Sequence, residues 1–219
     1  MKVLNKEQEN FIKIFAQVKY SDKFYLTGGT ALSEYYLQHR LSDDMDLFTS
    51  VDGMINKFSD NFMKEFEKEK YKIKLLRSHS TFKEFVIEKK LPLRIHLAQD
   101  SPFRFEPPIK TQENIFVDSL IDLATNKLLT IFGRYEIRDY VDIFFIVKEK
   151  KYDMPTLVQK SKEKDPGLDE YYLSLSFNKI RELIEKKYLE RVILLKKIEP
   201  EELENFFLEN AVKLLNKRK

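Results

Sequence analysis

The stretch FYLTGGTALSEYY (residues 24–36) sets two glycines side by side, and HRLSDDMDLFTS (residues 39–50) follows with aspartate at positions 43, 44 and 46. The whole chain of 219 residues holds only five glycines, so Gly28-Gly29 marks a place where the backbone does what other residues resist. Glycine tolerates positive φ and close approach. A strand, a Gly-Gly turn and the start of a helix can together present backbone amides to an anion such as a phosphate. Thr30 stands where a helix N-cap is expected, and its hydroxyl could also meet phosphate. In the strand MDLFTS side chains alternate faces. Asp44 and Asp46 then point one way, and Met45 and Leu47 point into a core. Two carboxylates so spaced can hold a divalent ion, and Mg²⁺ prefers such hard oxygens while keeping water and substrate phosphates in its shell. Two ions of this kind can bridge an attacking and a leaving oxygen. Asp43 falls on the Met45 face or ahead of the strand and ranks lower. The alternatives are a bare strand–helix turn and a solvated, inert acidic strand entry.

A second set of chemistry-bearing residues lies in VDSLIDLATNKLLTIFGRYEIRDYVDIFFIV (residues 117–147). Leu120, Ala124, Leu128 and Ile131 make one helical stripe, with Lys127 at its edge. A lysine there must snorkel, find a partner or reach into a cleft. Asp142 sits among Ile143, Phe145 and Ile146 and is expected to be partly buried, which is costly unless it is paired. Arg138, four residues earlier on the same helix, is the expected partner. Read from the residues alone, Lys127 and Asp142 are either functional or an internal ion network that docks two helices.

These residues need elements to position them. Apolar spacing predicts a helix over 5–19 (Phe11, Ile14, Phe15, Val18), a strand over 23–27, a helix over 31–38, a strand over 45–50 and a Lys/Glu-rich helix over 54–70. Three strand-like runs follow at 71–76, 81–88 and 93–98. The first two alternate apolar with charged residues, as in a half-solvated antiparallel sheet. SPFRFEPPIK (101–110) breaks the pattern, and helical patterns occupy 117–133, 139–150, 155–163, 169–190 and 201–217. The reading is α/β: a small mixed sheet with flanking helices in a domain over 1–116, then a helical domain over 117–219 that closes a cleft. Pro107 and Pro108 are read as the linker.

Composition narrows the class. The chain is 42% hydrophobic and 34% charged with a net charge of +3, which fits a folded, water-borne domain and permits a nucleic-acid partner without requiring one. It has no cysteine, which excludes disulfides, thiolate metal sites and a cysteine nucleophile. No signal-peptide pattern and no run of 18 apolar residues is present. A cytoplasmic protein without a membrane partner is expected. The Lys-rich C-terminal helices read as solvated faces, or as a groove for a polyanion such as tRNA.

GGTAL followed by HRLSDDMDLF resembles the first motif of the AbiEii/AbiGii-type nucleotidyltransferases, toxins of toxin–antitoxin and abortive-infection systems within the polymerase-beta-like nucleotidyltransferase superfamily. The resemblance covers roughly residues 20–150. It implies an NTP held by the turn amides of Gly28 and Gly29, with Thr30, Arg40 and Ser42 nearby and Asp44 and Asp46 on Mg²⁺. The family's later block appears as Lys127-Leu128-Leu129-Thr130, Arg134, then Arg138-Asp139-Tyr140-Val141-Asp142. It implies Lys127 as a cation on the triphosphate and Asp142 as the group that orients it or acts near the acceptor. Arg134 and Arg138 are second-rank candidates. Arg40 could reach phosphate or pair with an aspartate, and His39 could support the turn. The family implies a third carboxylate on a neighbouring strand, but Arg94-Ile95-His96 stands there. His96 would favour a softer metal such as Mn²⁺ or serve as a base; a surface hydrogen bond is the plain alternative. His79 is expected to be exposed. The expected activity is transfer of an NMP from an NTP to an acceptor hydroxyl, on a tRNA 3′ end or a protein. The rivals are a nucleotide- or RNA-binding module without turnover, and a protein whose partner is a cognate antitoxin and whose site is vestigial.

Overall fold

The computed structural model describes residues 3–89, 91–149 and 151–216. It divides into two compact units: the chain up to Tyr36 with Ser42–Ser119, and Leu37–Leu41 with the chain from Leu120 onward. The α/β class expected from the sequence is the class observed.

The first unit opens with α1 (Lys6–Phe15). Asn5 caps it reciprocally with Gln8: the Gln8 amide donates to Asn5 Oδ1, and the Asn5 amide donates to Gln8 Oε1, each at 3.0 Å. Then come β1 (Tyr25–Thr27), α2 (Gly28–Leu32), a π-helical turn (Ser33–Leu37), β2 (Met45–Thr49), α3 (Met54–Lys68), β3 (Ile73–Ser78), β4 (Phe82–Ile87), β5 (Leu93–Gln99), β6 (Ile109–Lys110) and β7 (Phe116–Val117). Among the described residues the strands form one mixed sheet in the order β3-β4-β5-β2-β1-β7-β6.

Register decides which side chains meet. β1 runs antiparallel to β2 with Thr27 opposite Asp46, β2 runs parallel to β5 with Asp46 beside His96, and β4 runs antiparallel to β5 with Glu84 opposite His96. Thr27, Asp46, His96 and Glu84 therefore make a row across one face of the sheet. Alternation sends Met45, Leu47, Phe85, Ile95 and Leu97 to the other face, where all five are buried. That face meets a phenylalanine cluster from α1 and α3. Phe62 lies 5.2 Å from Phe85 and 6.1 Å from Phe11, and Phe11 lies 5.3 Å from Phe66. Burying each such ring is worth about 1.5–3 kcal/mol, so the sheet is anchored from the side opposite its charged row.

The second unit comprises α4 (Leu120–Gly133), α5 (Ile137–Lys148), α6 (Met154–Lys164), α7 (Glu170–Asn178), α8 (Ile180–Glu185), a 3₁₀ turn (Tyr188–Arg191) and α9 (Pro200–Asn216). Asp153 and Asp169 cap α6 and α7 through side-chain bonds to the first-turn amides. Tyr140, Phe177 and Phe207 interlock in its core, with ring centroids 4.8 and 5.2 Å apart.

Four sequence expectations need correction. Val117 is a strand residue, and the helix begins at Leu120, because Val117 registers against Leu26 and the Asp118 amide donates to the Leu26 carbonyl at 2.9 Å. The sheet thus continues past the prolines, and Pro107 and Pro108 lie in a loop of the first unit. The single helix expected over 169–190 is interrupted near Lys179 and ends at Glu185, ahead of Lys187, which adopts φ 54°. Ser174 and Ser176 turn their hydroxyls back onto the carbonyls of Tyr171 and Tyr172, a habit that bends helices. The helix after Gly28-Gly29 starts at Gly28 rather than at 31. The outer ends of two expected helices, at 150 and 217, lie outside the described residues.

Candidate active site

The turn and the aspartates form one corner of the first unit. Gly28 adopts φ +70°, and a Cβ built there would lie 2.2 Å from Asp46 Oδ2. Both facts demand glycine: the conformation is one that side-chain-bearing residues resist, and a carboxylate oxygen already fills the space. With the helix starting at Gly28, Thr30 is not the N-cap expected of it. Thr30 is buried inside the first turn, and its hydroxyl donates to the Asp44 carbonyl at 2.5 Å. That bond ties the turn to the entry of β2. Ser42 contributes its carbonyl, which accepts from the Gln8 side-chain amide at 2.7 Å. Asp43 and His79 are exposed.

Asp46 has a neighbour on the next strand. His96 Nδ1 lies 2.8 Å from Asp46 Oδ1, and the two side chains are 24% and 27% exposed. The bond to Asp46 raises the His96 pKa above its ordinary value; burial opposes this and loses, and the nearby charges of Asp46, Asp44 and Glu84 add to the rise. Phe82 covers the imidazole at 5.8 Å. Farther along the row, Glu84 is held between Arg94 (3.0 Å) and Arg77 (3.1 Å).

A polar cluster that sequence reasoning did not single out stands beside the turn. Thr27 donates its hydroxyl to Asp118 at 2.7 Å, and Arg104 reaches the same carboxylate. The Arg104 guanidinium lies 4.2 Å from the centre of the Tyr25 ring, and the Tyr25 hydroxyl donates to Asp100. Burial, then the bond to Asp100, pushes the Tyr25 pKa upward. Asp118 falls inside the stretch 117–133 expected to be helical, where nothing along the chain marks it as a partner of Thr27.

The second unit holds Asp142, Lys127, Arg40 and His39 in a buried ionic knot. Asp142 is fully buried and accepts from Arg40 Nε (2.7 Å) and Nη2 (2.9 Å) and from His39 Nε2 (2.7 Å); Lys127 Nζ lies 2.8 Å from its other oxygen. Lys127 also donates to Asp139 at 2.8 Å, and Arg134 reaches Asp139 at 3.1 Å. Burial alone would raise the Asp142 pKa, but Arg40 and Lys127, then the bonds from His39 and Arg40, hold it well below the usual range. Burial alone would lower Lys127, and the charges of Asp142 and Asp139 outweigh it to raise its pKa. His39 goes the other way: burial lowers its pKa despite the bond to Asp142. Its Nδ1 is buried and has no hydrogen-bond partner among the described residues, which fits a neutral ring with its proton on Nε2.

The expected partner of Asp142 was Arg138, and this is corrected. Arg138 is exposed on α5, and Arg40 takes the role. Arg40 had two prospects, a phosphate or an aspartate; the structure gives it the aspartate. The segment 37–41 carries it there, with the Leu41 amide donating to the Ile193 carbonyl at 2.9 Å and Arg40 bridging to Leu194.

Among the described residues no group of three or more His, Asp or Glu side chains is gathered as a metal cage. Asp46 on β2 and Asp44, just ahead of it, supply hard oxygen donors. Such a pair fits an ion that takes the rest of its shell from water and a ligand's phosphates, as Mg²⁺ does.

This mixed α/β fold is one that solved structures share. Of solved structures, JHP933 from Helicobacter pylori superposes with a TM-score of 0.65 over 98% of this chain and 94% of its own, at 16% identity. MenT4, a nucleotidyltransferase toxin from Mycobacterium tuberculosis H37Rv, gives 0.61 over 96% of this chain and 82% of its own, at 14% identity. An uncharacterized protein of Aquifex aeolicus (strain VF5) is 28% identical over 218 residues, 94% of this chain and 95% of its own length. The family described as "Nucleotidyl transferase AbiEii toxin, Type IV TA system" matches residues 11–112. No helix among the described residues is long and apolar enough to cross a membrane.

Proposed function

We propose that the protein is a divalent-metal-dependent nucleotidyltransferase of toxin type, which moves an NMP from an NTP to an acceptor hydroxyl and releases pyrophosphate. The observation that carries this reading is the corner itself. The Asp46 carboxylate is set against Gly28, and Thr30 ties the turn to the Asp44 backbone carbonyl, which supports a reading of the turn amides as phosphate ligands and of the two carboxylates as metal ligands. Mg²⁺, or Mn²⁺ as the softer choice, would be held by Asp44 and Asp46 and would neutralise charge on the transferred phosphoryl group. The chain's own residues do the rest. The Gly28 and Gly29 amides bind phosphate oxygens, and Asp46 is oriented by its bond to His96. An acceptor hydroxyl attacks the α-phosphorus in line, and the bond to the β-phosphate oxygen breaks.

Lys127 is proposed as a nucleotide-binding cation, with Asp142 and Asp139 fixing its ammonium. Arg40 is assigned to holding Asp142. The acceptor class is proposed to be a tRNA 3′ end, with a protein side chain as the second candidate, and an antitoxin is the proposed regulatory partner.

The test is incubation with each α-labelled NTP, Mg²⁺ or Mn²⁺, and total tRNA or total protein. Label transfer that disappears in Asp44→Ala is the expected result. Nucleotide binding without transfer would leave a binding module. Failure to bind any of ATP, GTP, CTP or UTP with a divalent ion present would end the proposal. Comparing NTP affinity in Lys127→Ala and Lys127→Arg tests the lysine separately.

A further inference from the structure

We infer that His96 is a positioning residue that fixes the Asp46 carboxylate and acts through it, an inference that rests on the functional reading above. A carboxylate can only accept, so the 2.8 Å contact requires a proton on His96 Nδ1. With Oδ1 bound to that proton and Oδ2 lying against Gly28, the torsion of the Asp46 side chain is held from both sides. The imidazole is itself held. It sits at a fixed register between Asp46 on β2 and Glu84 on β4, and Phe82 covers its ring. Glu84 cannot swing in to replace it, because Arg94 and Arg77 engage both of its oxygens.

The neighbour of Asp46 on the adjacent strand is therefore a donor that orients a carboxylate. It stands to Asp46 as an outer-shell partner stands to a metal ligand, and removal of such partners typically costs 10–100-fold in metal affinity. This assigns a role to an imidazole where a third acid was expected. It also explains why the ring is covered on one side by Phe82.

The experiment reads Mn²⁺ uptake by electron paramagnetic resonance with a non-transferable NTP analogue, in wild type, His96→Ala and His96→Asn. Thermal melting confirms that each variant is folded. Asparagine places an N–H close to the position of Nδ1. The expected result is a loss of about 10-fold or more in Mn²⁺ affinity for His96→Ala and recovery of most of it in His96→Asn. Equal affinity in wild type and His96→Ala would overturn the inference, as would equal damage in both variants. The ¹⁵N spectrum of the His96 ring, taken without metal or nucleotide, gives an independent reading. A proton on Nδ1 is expected; a ring protonated on Nε2 alone overturns the clamp. A wild-type chain that takes up no Mn²⁺ overturns the functional reading, and the ring spectrum still decides the clamp.

Discussion

Two carboxylate–histidine pairs in this molecule look alike on paper and live in different solvents. Asp46 and His96 are each about a quarter exposed, in the middle of a row of polar side chains on a sheet. Asp142 and His39 are fully buried, with Arg40 and Lys127 packed around them. The same bond raises the pKa of His96 and fails to keep that of His39 from falling. Burial makes the difference, because desolvation penalises the charged ring in one place and is outweighed in the other. A half-solvated acid retains capacity for a ligand. A sealed acid has spent its capacity on its neighbours, and its worth lies in holding segment 37–41 against α4 and α5.

The contrast can be broken most directly at its buried end. Asp142→Ala strands Arg40 and Lys127 as buried cations, and loss of one partner from such a pair costs about 3–5 kcal/mol. Chemical denaturation is expected to show that loss, or failure to fold. Asp44→Ala is expected to invert the pattern: stability within about 1 kcal/mol of wild type, and label transfer down by on the order of 100-fold or more, since metal-held charge is worth several kcal/mol in the barrier. If Asp44→Ala unfolded the protein while Asp142→Ala left it stable, the two regions would have been misread.

Gly28→Ala sharpens the exposed end. The left-handed conformation costs a side-chain-bearing residue about 1–2 kcal/mol, and the new methyl must displace the Asp46 carboxylate. Transfer activity is expected to fall further than stability does, as kinetics and melting measured together would show.

Acid titration separates the histidines. His39 has a depressed pKa in the folded state, so the unfolded chain binds its proton first. Stability should therefore fall as pH drops below the unfolded histidine value near 6.5, by at most about 1.4 kcal/mol per pH unit for one proton. Asp142, also depressed, gives stability that is present above the unfolded carboxylate value near 3.9 and lost only as pH falls below it. His39→Gln keeps a donor toward Asp142 and cannot titrate, so urea unfolding should lose the first slope between pH 7 and 5 and keep the second when the series is carried below about pH 3.9. The smallest effect is expected at Arg138, where alanine should change stability by no more than about 0.5 kcal/mol. A larger loss would mean that this arginine, and not Arg40 alone, supports Asp142.

Much of the fold was legible because local pattern and burial agreed. The spacing of Phe11, Ile14 and Phe15 marked a helix that buries all three, and Val18 is buried just past its end. Alternation over residues 45–49 marked a strand with Asp46 on one face and Met45 and Leu47 on the other. The β6–β7 pairing was not legible, because two-residue strands carry no period. Nor was the partner of Asp142. Arg138 is close in sequence, whereas Arg40 lies 102 residues away and arrives only because segment 37–41 leaves the first unit for the second.

Composition and spacing alone determined the α/β class, the need for glycine before an acidic strand, and the alternation that sets Asp46 on the face opposite Met45 and Leu47. These follow from backbone sterics and a two-residue repeat, which act over a few positions. Tertiary structure alone decided that His96 would meet Asp46, that Thr30 would turn to Asp44 instead of capping a helix, and that Lys127 would be shared by two carboxylates. Strand register and long-range packing set those contacts, and neither is written in the separation of residues along the chain.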